Sequence, residues 1–212
     1  YEERIEMDVS AGLRARIASI LLGSKGLMLN CRRGVPFAEL LGRPTVLELE
    51  RIGNDDEKAF LIGLILTRLY EYRRVQASMG ADERFRHLLV IEEAHRLLKN
   101  VSTEIPVEGA NNRGQAIETF TNILSEIRSY GQGIAIAEQI PTKLAADAIK
   151  NTNLKLIHRL VAADDRRLLG ETTNMSERQS SFLSTLRQGV CVAHTEGADY
   201  PYLIKPADAR RL

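Results

Sequence analysis

The 212-residue chain predicts an α/β fold with a mainly parallel, doubly wound sheet and two antiparallel strands at the C-terminal end. Three observations lead there. Short unbroken apolar runs recur at 88–91 (LLVI) and 133–137 (GIAIA), the pattern of strands buried in a parallel sheet, and 154–161 (LKLIHRLV) reads as a further strand. Helical stretches of roughly 9–20 residues separate them, as crossovers between parallel strands require. Finally, 189–194 and 200–205 face each other across the Glu196-Gly197 turn as an antiparallel pair.

The chain is long enough to bury one sizeable core. At 44% hydrophobic and 27% charged residues it has the composition of an ordinary soluble domain. A formal net charge of +1 excludes an overall basic field, so any nucleic-acid contact has to come from local patches such as Arg32-Arg33 or Arg73-Arg74. Both arginine pairs read more simply as solvated surface. Cys31 and Cys191 fit no metal spacing and read as buried or free thiols of a reducing cytoplasm. No apolar run approaches the ~20 residues that span a bilayer. With Tyr1-Glu2-Glu3 at its start, the sequence is expected to be a piece of something longer.

The elements follow in order. Residues 10–22 have helical spacing, with Leu13, Ile17, Ile20 and Leu21 on one face. A short strand at 27–30 and a helical turn at 36–41 precede a strand at 45–49 (TVLEL). A long helix begins at Asn54, whose side chain can cap it; Glu57 completes a capping box, and Asp55-Asp56 complement the helix dipole. It runs to about Arg74, and a polar turn at 80–84 leads into the strand 88–91. A short helix holds 96–99, and 100–114, with Pro, Gly and an Asn pair, reads as a mobile loop. A helix over 115–130 is stopped by Gly131. After the strand 133–137, Thr142 is expected to cap a helix to Lys150. The strand 154–161 and helices near 164–171 and 175–184 complete the crossovers. Domain limits are set at 1–44 for a helical lead-in, 45–206 for the core and 207–212 for a tail.

Six residues are candidates for chemistry, of which Glu92, Glu93, Arg128 and Gln139 are the strongest. Glu92 and Glu93 stand at the end of an apolar strand, where α/β sheets bind ligands. One acid can hold Mg²⁺ through water, and the next can orient or deprotonate an attacking water. This is the Walker B arrangement of a nucleotide hydrolase. The bland alternative is acids stabilising a helix start, worth ~0.3–1 kcal/mol. His95 either links nucleotide state to a neighbouring segment or sits on a helix face. The order EEAH is not HExxH, which sets a zinc protease aside. Arg128 in SEIRSYGQG suits the negative end of its helix, or serves as an arginine finger reaching a neighbouring subunit. Gln139 follows a strand, where a neutral amide can sense a γ-phosphate or position water. Arg159 reads as a strand residue whose head reaches solvent. A Walker A loop, G-x-x-x-x-G-K-[ST], is absent: the nearest segment, LLGSKGL at 21–27, has Ser24 between Gly23 and Lys25 and Gly26 after the lysine.

With these residues in view, the chain resembles the HerA-type branch of the HerA/FtsK P-loop ATPases. The matching stretches are LLVIEEAH (88–95), EIRSYGQGIAIAEQIPTKL (126–144), IKNTNLKLIHRL (149–160), and LRQGVCVAH followed by PYLIKP (186–206), with PFAELLGRPTVLELERI (36–52) upstream. The resemblance implies a RecA-like motor lacking its N-terminal part, which uses ATP and Mg²⁺ in a hexameric ring to translocate DNA, with a NurA-like nuclease as a partner. It implies that Glu92 is the Mg²⁺-associated acid and Glu93 the catalytic glutamate. Arg128 would be the finger presented to the adjacent subunit, and Gln139 the residue that reads the γ-phosphate. The family's usual acid pair is Asp-Glu, whereas Glu92 reaches one methylene further. Two other functions remain open: a type IV secretion or conjugation ATPase, and a ring-assembly module that does not hydrolyse ATP. A superfamily-two helicase is disfavoured because no Q-x-x-G-R-x-G-R-like segment is present.

Overall fold

A computed structural model describes residues 2–22, 26, 29–52, 55–80, 84–96, 98 and 119–208. The chain divides into two compact units, Tyr1–Val46 and Leu47–Leu212. In the first, α1 (Glu2–Ile20) and α2 (Phe37–Leu41) are helical. Of the expected stripe on α1, Leu13 and Ile17 are 54% and 55% exposed. Of the expected strand at 27–30, residues 27 and 28 lie outside the described residues, while Leu29 is helical and the Asn30 N–H donates to the Gly26 carbonyl at 2.8 Å, so no strand forms there among the described residues.

The second unit is built on β1 (His87–Glu92) and β2 (Gln132–Ala137), which pair in parallel with His87 opposite Gln132 and Glu92 opposite Ala137. A parallel pair requires a crossover, and its described part is a helix, α4, covering 119–126, followed by a 3-10 turn at Ile127–Tyr130. Gly131 ends that turn in the left-handed region (φ 72°), as expected, and its N–H donates to the Arg128 carbonyl. The long helix α3 (Asp55–Ser78) packs beside this turn. Its proposed cap, Asn54, lies outside the described residues, as do most of the turn at 80–84, the loop at 100–114 and the start of the 115–130 helix.

The strand β3 (Leu154–Ile157) does not extend to Val161; it pairs antiparallel with β4 (Cys191–Thr195), which pairs in turn with β5 (Tyr202–Ile204). The antiparallel turn is as expected, with Gly197 at φ 88°. Along the chain α5 (Ala146–Lys150) falls between β2 and β3, and α6 (Ala163–Thr172) and α7 (Glu177–Phe182) fall between β3 and β4. The last starts with a capping box in which Ser176 accepts from the Gln179 N–H.

Three local expectations are corrected. TVLEL at 45–49 forms no strand, since no partner pairs with it among the described residues. Thr142 does not cap a helix; it lies in a 3-10 turn (Pro141–Lys143), and its N–H donates to Asp165 Oδ1 at 2.9 Å. The helix starts later because Leu144 is extended and buried, and the Ala145 N–H donates to the Leu98 carbonyl. The strand β1 is covered on one face alone among the described residues: Ile91 is buried, while Leu88 and Val90 are 49% and 56% exposed. Apolar runs without alternation leave both faces ready for cover, and the described helices cover one.

The main core gathers Leu66 of α3, Ile91, Ala94, Leu98, Leu144 and Ile149. A second cluster of Ile157, Leu183, Leu186 and Val192 supports the antiparallel sheet. Close approach of α3 to α4 rests on Gly63: a Cβ there would meet Phe120 Cζ at 2.5 Å. Gly63→Val is therefore expected to destabilise the fold by about 1–3 kcal/mol through overpacking, despite valine's greater burial. Urea denaturation checks this, and an unchanged midpoint would show that the contact is dispensable.

Candidate functional site

The strand ends converge at one edge of the parallel pair. Since β1 and β2 run the same way, Glu92, Glu93, Glu138 and Gln139 leave the sheet together at its C-terminal edge. The Glu93 N–H donates to the Ala137 carbonyl at 3.1 Å, adding one rung to the ladder. The chain then turns sharply, because Glu93 adopts φ 54°, a left-handed conformation that costs a residue with a Cβ ~1–2 kcal/mol. A 3-10 turn at Ala94–Arg96 follows, anchored by fully buried Ala94 and Leu98. Arg96 forms an ion pair with Asp55 at the start of α3.

The turn places the Glu93 carboxylate against Gln139, whose Nε2 donates to Glu93 Oε1 at 3.3 Å. Beneath them lies Glu138, with only 6% of its side chain exposed. Its Oε2 accepts from the His95 backbone N–H (3.2 Å) and lies 2.8 Å from His95 Nδ1. A carboxylate only accepts, so the hydrogen of that contact belongs to Nδ1. Glu138 Oε1 accepts from the N–H groups of Gln139 (2.9 Å) and Ile140 (3.1 Å). Burial pushes the Glu138 carboxyl up, but the hydrogen bonds from His95, Ile140 and Gln139 outweigh it and hold the group below its ordinary range.

Glu138 is the residue that sequence reasoning missed. Its signal was present: an acid directly after the apolar strand, the same cue that singled out Glu92 and Glu93. What the sequence lacks is any sign that this acid turns inward. His95 likewise is no idle helix-face residue, since its ring joins Glu138 and lies 3.7 Å from Glu93 Oε2.

Glu92 is exposed at the last position of β1 and free to meet a cation from solvent. Donor atoms of Glu93, His95 and Glu138 all lie within 4.8 Å of one another, close enough to share a metal ion, though His95 and Glu138 already partner each other.

Arg128 is not brought to this edge. It stands exposed in the turn before β2, at the opposite end of a six-residue strand, roughly 20 Å from Glu93 at ~3.3 Å per residue. That turn is held to α3 by Tyr70, whose hydroxyl donates to Glu126 at 2.7 Å and whose ring packs on Tyr130. Arg159 donates from Nε to the Ser184 carbonyl at 2.9 Å. The expectation that Arg73 is solvated surface is overturned: it is 6% exposed, and its Nε donates to Gln132 Oε1 at 3.0 Å. Gln132 in turn donates to the His87 carbonyl, tying β1 to β2 at their N-terminal ends.

The chain is similar in sequence to curated HerA proteins. It is 25% identical over 166 residues to the DNA double-strand break repair helicase HerA of Sulfolobus acidocaldarius, covering 78% of this chain and 32% of that protein. The probable HerA of Methanocaldococcus jannaschii is 28% identical over 119 residues, which is 56% of this chain and 22% of that one. The chain thus spans about a third, 32%, of the length of the first of these relatives. No family model matches. The fold is shared with the genome packaging NTPase of Sulfolobus turreted icosahedral virus 2 (TM-score 0.54, 15% identity, 82% of this chain and 73% of that chain). It is shared equally with VirB4 of Thermoanaerobacter pseudethanolicus (TM-score 0.54, 20% identity, 76% and 40%). The chain is therefore HerA-like, with the α/β fold of the packaging and VirB4 NTPases. No helix among the described residues is long and apolar enough to cross a membrane.

Glu138 also makes a prediction about acid stability. A carboxyl whose folded-state pKa lies below its unfolded value stabilises the fold above the unfolded value, and loses that contribution as pH falls through the folded one. Stability is expected to fall as pH drops below about 4.5, the ordinary Glu value. Glu138→Gln should make that acid limb shallower. Urea titrations between pH 7 and pH 3 check this; an acid limb equally steep in the variant would remove Glu138 as its source.

Proposed function

We propose that this HerA-like chain is the C-terminal, catalytic part of an ATP-driven DNA translocase or helicase motor, acting with Mg²⁺ at the subunit interfaces of a homo-oligomeric, six-membered ring. The observation that carries the reading is the pairing of Glu93 with Gln139 across the ends of two parallel strands. It joins a potential water-orienting carboxylate to an amide suited to reading phosphate.

The residues present fit part of what ATP requires. Glu92 offers an exposed oxygen ligand of the kind Mg²⁺ prefers, at the edge where Glu93 can orient a water. Residues 1–212 contain no Walker A sequence, the motif whose backbone N–H groups cradle phosphates. Bound Mg²⁺-ATP supplies the phosphoryl group and the metal that neutralises its charge. Glu93 accepts a hydrogen bond from the water, and Gln139 beside it is the amide that reads the γ-phosphate.

Arg128 supports a ring. It is too far from its own Glu93 to act there, yet exposed on a turn braced by α3, where a neighbouring subunit's site could receive it. DNA as the substrate, and a NurA-like nuclease as partner, rest on the likeness to HerA. A secretion or conjugation role is a second reading, supported by the fold shared with VirB4.

In the full-length protein, Glu93→Gln is expected to lower ATP turnover at least roughly 100-fold while ATP affinity stays within a few-fold. Undiminished turnover would sink the assignment. Residues 1–212 alone should show no Mg²⁺-dependent hydrolysis, and robust activity would contradict the missing cradle. Arg128→Ala and Glu93→Gln subunits, each inactive alone, should regain partial activity when mixed, because some interfaces then join an intact finger to an intact carboxylate. Mixtures as inactive as their components would place Arg128 outside the neighbour's site.

A further inference from the structure

The buried carboxylate of Glu138 is a strongly engaged ionisable group at this edge that the proposed chemistry does not use. We propose that Glu138 is a positioning residue, which sets the distance between Glu93 and Gln139 by binding the turns that carry them; the proposal rests on the ATPase reading above. Each oxygen serves a different strand. Oε2 takes the N–H and the ring Nδ1 of His95, two residues after Glu93. Oε1 takes the N–H groups of Gln139 and Ile140. One rigid, planar group thereby spans both strand exits.

The physical case is one of hydrogen-bond satisfaction. Glu93 turns through a left-handed conformation, so the N–H groups after it leave the β1–β2 ladder and need another acceptor. The same holds after Ala137, where β2 ends. A single buried carboxylate answers both needs with charge-assisted bonds. Any shift of one turn is then felt by the other through the carboxylate. The Glu93–Gln139 contact, at 3.3 Å and on the exposed side, is by itself too weak to fix that geometry. His95 extends the link, since its Nδ1 also approaches Glu93 Oε2 at 3.7 Å.

Glu138→Gln tests this with little change in volume. The amide oxygen can still accept from one turn, but its NH₂ cannot accept from the other. Steady-state ATPase of the full-length protein is expected to show kcat reduced about 10–100-fold with KM for ATP nearly unchanged, the mark of misplaced groups and not of lost binding. Glu138→Asp, which keeps the charge and shortens the reach, should recover part of the rate. A second readout needs no turnover. In ¹⁵N-labelled protein the His95 Nδ1–H signal should be protected and shifted downfield, and should lose both properties in Glu138→Gln.

The outcomes separate the two readings. If Glu93→Gln leaves turnover intact, the assignment of Glu93 as the water-orienting residue fails, while the His95 signal still reports whether the Glu138 link exists. If Glu93→Gln abolishes turnover but Glu138→Gln leaves kcat unchanged, the positioning role is overturned and the ATPase reading stands. Should Glu138→Gln fail to fold, His95→Asn, which removes the ring contact alone, replaces it. A lowered kcat at constant KM supports the link, and an unchanged kcat overturns it.

Discussion

The parallel register of β1 and β2 is the constraint on which the rest of the second unit depends. Pairing Glu92 with Ala137 makes both strands finish at the same level, so Glu93 and Gln139 emerge side by side. A shift of one residue would turn every side chain of one strand to the opposite face and separate the two. Parallel pairs are slightly weaker per residue than antiparallel ones, and a two-stranded pair has little ladder of its own. The structure reinforces it at each end with buried polar side chains. Arg73, Gln132 and His87 tie the N-terminal ends; Glu138 and His95 tie the C-terminal ends.

The two ties differ in their electrostatics. At the N-terminal end a buried guanidinium meets a neutral amide. Burial, together with the Arg73 charge, depresses the His87 pKa, while the Gln132 hydrogen bond opposes it, so the His87 ring is held toward its neutral form. At the C-terminal end a buried carboxylate is kept ionised by four donors, which offset what desolvation costs it. Hydrogen-bonded charge of this kind adds specificity of geometry, because the group tolerates no rearrangement that leaves an oxygen empty. The candidate site thus sits on the tie with the stronger directional bonds, while the Arg128 turn is braced separately through Tyr70 and Glu126.

Much of this was legible from residues alone. The apolar runs located β1 and β2, Gly131 marked the end of the helix before β2, and Glu196-Gly197 marked the hairpin. Motif order linked Glu92, Glu93, Arg128 and Gln139 to a HerA-like motor, and the sequence similarity to HerA proteins and the shared NTPase fold agree with that family. The errors have local causes. TVLEL carries the pattern of a strand, but a strand is a pairing and not a property of five residues. Thr142 has the chemistry of a cap, yet Asp165, distant in sequence, takes its N–H. Arg73 looked like surface because charge usually is; Gln132 gives it a buried partner.

Sequence by itself determined which residues could do chemistry and where each would leave its strand, since apolar runs and turn residues act over a few positions. Tertiary structure alone decided which of them meet. It turned Glu138 inward, set His95 against it, joined Glu93 to Gln139, and left Arg128 at the far end of β2. Those outcomes depend on hydrogen bonds between residues more than 40 positions apart, as between His95 and Glu138 or Glu93 and Gln139. No local periodicity encodes such partners; the strand register that brings them together does.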